Sequence, residues 1–255
     1  MKNIRKGIIL AGGNGTRLKP LTNIISKQLL PIYNKPMIFY PLSILINIGI
    51  KEILIISDPI NMRLYKKLLG NGKQFKIKIS YKIQKSANGI ASAYLLGKKF
   101  LNNSPSVLIL GDNIFYGSNL IKQFKNALKS NYSSLFTYSV EKPNAYGVFI
   151  NDKKKRYIIE KPKFTKSNKA IVGIYFLDNK APLYASKIKP STRNELEITD
   201  LNNIYLQDKK TKVINLDQGT AWLDTGSFDG LLNASNFVRT IETRQGIDIT
   251  SLYKK

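Results

Sequence analysis

The chain has 255 residues, long enough to bury a substantial core as one large domain or two small ones. It contains no cysteine and no histidine, which excludes disulfides, thiol nucleophiles, Ser–His triads and the usual zinc ligands. Its formal net charge of +25 raises nucleic acid or a membrane surface as a partner, but only seven of the 41 cations are arginine and the lysines are scattered.

The aromatic residues are not interleaved with a basic stripe, so no nucleic acid is expected. The basic runs 153–156 and 209–212 fall at expected turns and read as solvated surface. The opening MKNIRKGIILAGG has early charge and an apolar run, as signal peptides do, but the run is short and broken by glycines. No stretch reaches the ~20 apolar residues of a membrane span, and a cytoplasmic protein without membrane contact is expected.

In chain order, residues 7–11 carry Ile8, Ile9 and Leu10 unbroken, the pattern of a parallel strand buried on both faces. Gly12, Gly13 and Gly15 follow at once. Glycines there permit positive φ and let backbone N–H groups approach a ligand, so the loop reads as an anion nest or as a tight turn into a helix. Arg17 leaves the loop where a phosphate would sit, and Lys27 follows. A G-x-G-x-x-G fingerprint would need glycine where Leu18 stands, and the Gly-Lys-Ser/Thr of a P-loop is absent.

Apolar spacing predicts a helix over 36–48, and EILIIS at 52–57 a second buried strand. A helix over 61–69, a strand over 76–84, a helix over 89–100 and a strand over 106–110 follow. Strands alternating with helices predict an α/β fold with a largely parallel sheet covered on both faces, with ligands beyond the carboxyl ends of its strands. Asp112, directly after the fourth strand, then reads as a metal ligand or an Asx-turn. From Ser134 the segments 135–140, 148–150, 157–160 and 170–177 suggest added mixed or antiparallel strands, with 153–156 at a hairpin tip. Helices over 196–206 and 230–243 are separated by a strand over 212–216 and by TAWLDTG, in which Asp224 alone reads as a turn residue.

The stretches LAGGNGTRLKPLT and SKQLLPIYNKPM resemble the sugar-1-phosphate nucleotidyltransferases, most closely the members that transfer thymidylyl groups, and the likeness runs from Lys6 to about Gly246. The resemblance implies a Rossmann-like nucleotidyltransferase fold over 1–229, with a mixed sugar-binding lobe at about 134–200 and a shortened C-terminal helical segment over 230–255. It implies dTTP and glucose 1-phosphate as substrates, dTDP-glucose and diphosphate as products, and Mg2+ held by Asp112 and Asp224. Arg17, Lys27, Asp112 and Lys161 would be catalytic. Leu10, Gly12, Gly13, Gly15, Thr16, Arg17, Gln28, Gln84, Gly89 and Asp112 would surround the nucleotide. Tyr146, Gly147, Glu160, Lys161, Val172, Gly173, Arg193 and Glu195 would hold the sugar phosphate.

These residue types suit that chemistry. A phosphate monoester has its second pKa at about 6, so no strong base is needed and the site must mainly screen charge. A guanidinium holds two phosphate oxygens at once, and the amides of Gln28 and Gln84 offer donor and acceptor to a thymine edge. The alternatives are a UTP-dependent or other sugar-phosphate enzyme, or a noncatalytic nucleotide-binding relative. The chain departs from the family in Ala87-Asn88-Gly89-Ile90-Ala91-Ser92-Ala93, where P-D-G-L-A-Q-A is usual, in Asn194 for a glycine, and in Ser118 for a histidine. Relatives usually continue beyond Tyr253-Lys254-Lys255 with helices that serve oligomer contacts and a second nucleotide site. A homotetramer, or else a dimer, with weak or absent inhibition by dTDP-rhamnose is therefore expected.

Overall fold

The computed structural model describes residues 5–13, 15–152, 155–208 and 210–252. In chain order come β1 (Lys6–Leu10), β2 (Pro31–Ile32), β3 (Lys35–Pro36), α1 (Phe39–Asn47), β4 (Glu52–Ser57), α2 (Pro59–Leu69), β5 (Lys78–Ile83), α3 (Ser92–Leu96), α4 (Lys98–Leu101) and β6 (Ser106–Leu110). There follow β7 (Asn113–Tyr116), α5 (Leu120–Lys129), β8 (Ser133–Ser139), β9 (Gly147–Asn151), β10 (Arg156–Glu160), β11 (Lys169–Leu177), α6 (Ala181–Ala185), α7 (Ile198–Gln207), β12 (Thr211–Asn215), β13 (Ala221–Asp224) and α8 (Phe228–Gln245).

The α/β fold expected from the alternation is present. β6, β1, β4 and β5 pair in parallel in that spatial order, with Leu10 level with Ile56 on one side and Leu110 on the other. β11 then adds antiparallel to β6 and carries β9 with β10, and β8 with β12. The strands of the expected lobe therefore extend the central sheet itself, which has nine strands among the described residues. Asn151 faces Arg156 across the β9–β10 hairpin. Lys153, Lys154 and Lys209 of the basic runs, and Tyr253 to Lys255, lie outside the described residues.

Strand alternation divides the core. Ile9, Ile53, Ile55, Val107 and Ile109 face one side with α1, α2 and α5, while Ile8, Leu54, Ile56 and Leu108 face the other with Tyr94, Leu201 and Tyr205. A smaller cluster of Ile32, Met37, Tyr40, Ile114, Ala234 and Val238 seats α8 on the β2–β3 hairpin. There Lys35 reaches Glu242 and Asp248, both at 3.2 Å.

Three expectations shift. The first helix begins at Phe39, because Pro36 is taken up by the hairpin with Pro31. The helix over 89–100 is two short helices meeting at Gly97, where a Cβ would lie 3.1 Å from the Ile8 side chain. α2 starts at Pro59, capped by Asp58, which accepts from Asn61 N at 2.9 Å. No helix is long and apolar enough to cross a membrane, among the described residues.

α5, which the periodicity reading passes over, inserts Phe124 against Phe115, Phe136 and Phe176 at ring distances of 5.9, 4.9 and 5.8 Å. Phe124 is fully buried. Phe124→Ala is expected to destabilise the fold by roughly 3–5 kcal/mol, measured by urea denaturation; a loss under about 1 kcal/mol would show that the neighbouring rings close the gap.

Candidate active site

The parallel strands end level with one another. Ala11 N donates to Ile56 O at 2.8 Å, Gly111 N to Leu10 O at 2.9 Å, and Ser57 Oγ to Ala11 O at 2.9 Å. The glycine loop and Gly111-Asp112 thus leave the sheet side by side at its carboxyl edge, the usual ligand position in such sheets. Two cavities open there, of about 550 Å³ and about 210 Å³, and Ile90, Glu160, Lys161 and Ile198 line both.

β7 and β13 bring two acids together. They pair antiparallel with Asn113 opposite Asp224, and Thr225 Oγ1 donates to Asp112 O at 2.8 Å. Both Asp112 and Asp224 line the larger cavity, as does Arg17. Asp112 forms an ion pair with Lys27 and accepts from Asn113 Nδ2 at 3.0 Å. Burial pushes the Asp112 carboxyl up, but Lys27 and the hydrogen bonds outweigh it and hold the group below its ordinary value. Asp224 accepts from Gly226 N at 3.0 Å. The Arg17 guanidinium lies over Gly226, where a Cβ would come within 2.7 Å of it, so any larger residue there displaces the arginine. Burial and then Asp224 push the Tyr146 phenol up, with Arg17 opposing.

Among the described residues no three His, Cys, Asp or Glu form a metal cluster. Two carboxylates on one cavity wall are instead the donor set of a hard cation that takes its remaining ligands from phosphates and water. The residues present fit such an ion.

The larger cavity gathers Arg17, Asp112, Tyr146, Gly147, Glu160, Lys161, Gly173 and Asp224 from the expected site. The smaller gathers Leu10, Gly12, Gly13, Gln84, Gly89, Arg193 and Glu195. Gly15 and Thr16 line neither, and Asn14 between the loop glycines lies outside the described residues. Lys27 meets the site through Asp112. Gln28 is 1% exposed and accepts from Ser26 Oγ at 2.5 Å beneath the loop, which keeps its amide off both cavities. Val172 packs in the core because strand alternation turns it away while Ile171 and Gly173 line the cavity.

Arg193 lines the smaller cavity and not the larger, and its guanidinium is forked onto Glu197 at 2.9 and 3.0 Å, with Glu195 at 3.5 Å and Glu160 at 3.8 Å. Lys161 is left-handed at φ 43° and donates its N–H to Tyr146 O at 3.0 Å. A non-glycine residue held this way costs ~1–3 kcal/mol. Gly89, at φ 88°, leaves no room for a side chain, since a Cβ would sit 2.4 Å from Leu196 O.

Among the residues of the larger cavity that sequence reasoning missed, four carry polar atoms used below: Asn113, Thr199, Asn202 and Trp222. Asn113 Oδ1 accepts from Gly173 N at 3.1 Å and Trp222 Nε1 at 2.7 Å, so one amide joins β7, β11 and β13. Thr199 Oγ1 donates to Glu160 at 2.6 Å. The carbonyl oxygen of buried Asn202 has no partner among the described residues, an acceptor suited to a hydroxyl-bearing ligand. Trp222 stacks obliquely on Tyr146 at 5.0 Å; being the single tryptophan in a motif already singled out, it was the one of the four with a visible signal.

A profile of the nucleotidyl transferase family matches residues 6–241. The chain is 49% identical over 248 residues to glucose-1-phosphate thymidylyltransferase of Xanthomonas campestris pv. campestris (strain B100), covering 96% of this chain and 84% of that one. It is 47% identical over 250 residues to the glucose-1-phosphate thymidylyltransferase of Neisseria meningitidis serogroup A, covering 97% and 87%. A crystal structure of UDP-glucose pyrophosphorylase complexed with UDP-glucose superposes with a TM-score of 0.83 at 26% identity, covering 93% of this chain and 99% of that one.

Because the Asp112 carboxyl sits below its ordinary value of 3.8, its ion pair stabilises the fold above that value, and the contribution is lost as pH falls through the lower folded value. Asp112→Asn is expected to be less stable than the parent at neutral pH, with the gap closing below about pH 4. Urea melts across pH read this, and a gap independent of pH would show that the pairing with Lys27 is not the source.

Proposed function

The chain belongs to the nucleotidyl transferase family, and on that premise we propose that it is a glucose-1-phosphate thymidylyltransferase, forming dTDP-glucose and diphosphate from dTTP and glucose 1-phosphate. The observation that carries this is the placement of Arg17, Asp112 and Asp224 around one cavity that adjoins a second, glycine-lined one through Glu160 and Lys161. The identity of 49% with a thymidylyltransferase, against 26% with a uridylyl neighbour, favours dTTP over UTP.

A phosphate oxygen of the sugar phosphate attacks the α-phosphorus of dTTP, the bond to the β-phosphate oxygen breaks, and diphosphate leaves with that electron pair. The nucleophile is already ionised at neutral pH, so a chain without histidine lacks nothing the step requires. Arg17 holds charge on the phosphates from the loop side. Lys161, at the seam of the two cavities, meets the sugar phosphate. Glu160, held by Thr199, and the free Asn202 oxygen address sugar hydroxyls, with Trp222 and Tyr146 as the apolar wall. Asp112 and Asp224 would hold Mg2+, which when bound screens the repulsion between two phosphate anions. Lys27 keeps Asp112 ionised and aligned. The smaller cavity, with Gln84 and the Gly89 backbone, takes the base. This reading carries a cytoplasmic location and a product that feeds deoxysugar synthesis, and light scattering decides between the expected homotetramer and a dimer.

Diphosphate release with dTTP and glucose 1-phosphate is expected to require Mg2+, to stop with EDTA and to resume on repletion. Arg17→Ala and Asp112→Ala are each expected to lower kcat/KM by roughly 10²–10³-fold. A matrix of nucleotides against sugar phosphates identifies a UTP-dependent enzyme by its preferred pair. dTTP binding in calorimetry without diphosphate release would mark a noncatalytic relative.

A further inference from the structure

Ser92 lies at the first turn of α3 and is 5% exposed. Its Oγ donates to Gly89 O at 2.6 Å, and Gln84 Nε2 donates to the same Oγ at 3.1 Å. A hydroxyl has one proton. Gly89 O is an acceptor only, so at 2.6 Å the serine proton is committed to it. Towards Gln84 the hydroxyl can then only accept. The NH2 end of the Gln84 amide must face Ser92, and the assignment of nitrogen and oxygen follows from the serine's proton count.

The consequence lies at the other end of the amide. Gln84 Oε1 sits over Gly12, where a Cβ would come within 2.6 Å of it, and both residues line the smaller cavity. No described residue donates a hydrogen bond to this oxygen. We propose that Ser92 is a specificity-determining positioning residue: by fixing the orientation of the Gln84 amide it presents an acceptor to the nucleotide base and so selects imide bases over cytosine.

Thymine and uracil carry an N3–H donor on their pairing edge, whereas cytosine carries an unprotonated N3. Facing Gln84 Oε1, the imide gains a hydrogen bond and cytosine sets two acceptors together. An unpinned amide can turn and offer its NH2 to cytosine. Gly89 belongs to the same arrangement, because its carbonyl takes up the proton that would otherwise let Ser92 serve either amide end. The inference rests on the reading that Gln84 contacts the base.

The test is kcat/KM for dTTP, dUTP and dCTP with glucose 1-phosphate. Ser92→Ala is expected to lower the dTTP:dCTP preference by roughly 3- to 10-fold, the worth of one neutral hydrogen bond. The dTTP:dUTP ratio should not move, since both bases are imides, and the loss should fall on KM for dTTP more than on kcat. Ser92→Thr, which keeps the hydroxyl, is expected to restore the preference, with thermal melts reporting that each variant is folded. Gln84→Ala separates the two levels. If it leaves the dTTP:dCTP preference intact, the base reading fails and the inference falls with it. If Gln84→Ala reduces the preference and folded Ser92→Ala does not, the positioning role alone is overturned.

Discussion

The pairing of β7 with β13 joins residues more than a hundred positions apart, and the geometry of the two acids depends on it. A two-stranded ribbon is marginal by itself in water. Here it is held from both sides: Phe115 enters the aromatic cluster around Phe124, and Ile114 enters the cluster of Met37, Tyr40, Ala234 and Val238. Asn113 adds polar fastening by accepting from Gly173 and Trp222 while donating to Asp112. The turn after β13 is fixed by Thr225 on the Asp112 carbonyl and by Ser227, which caps α8 by accepting from Gly230 N. The last long helix is therefore part of the support of the carboxylates, and the Lys35 contacts with Glu242 and Asp248 tie its far end to the hairpin that follows Lys27.

Charge is organised on two scales. The chain carries +25 overall, which draws polyanionic substrates towards the surface in a salt-dependent way. At the site two of the cations are paired: Lys27 is held by Asp112, and Arg193 by Glu197 with Glu195 and Glu160 nearby. On the proposed reading such pairing holds long side chains near the phosphates, so less rotamer entropy remains to be lost on binding.

Two of the parallel strands were legible to the residue: 52–57 and 106–110 are continuous apolar runs between turn signals, while β1 and β5 lie at Lys6–Leu10 and Lys78–Ile83 where 7–11 and 76–84 were expected. β7 and β13 were not, because each has four residues and each carries polar groups that serve the site. Their partners are also remote in sequence, so no local pattern announces the pairing. Gln84 and Gln28 illustrate the same limit. Both are amides close to the glycine loop, yet one meets a cavity and the other, in the short helical turn 27–29, is folded beneath the loop by Ser26. Composition cannot tell which way such a side chain turns. Arg193 was legible as a cation near the site, but its fork onto Glu197, four residues on, depends on the bend through Asn194 at φ 59°.

The seam between the cavities concentrates these constraints. Glu160 and Lys161 leave the end of β10, Thr199 from α7 fixes the first, and the Tyr146 carbonyl holds the backbone of the second in a left-handed turn. Lys161 is itself exposed, and the hydrogen bond to the Tyr146 carbonyl holds its backbone in that conformation. On the proposed reading the sugar phosphate and the nucleotide approach from opposite cavities and meet at this point. Lys161 then serves from a backbone position set by that hydrogen bond. Its ammonium is offered to both anions from one backbone position, and the two substrates are brought into register by the protein before their phosphates repel each other.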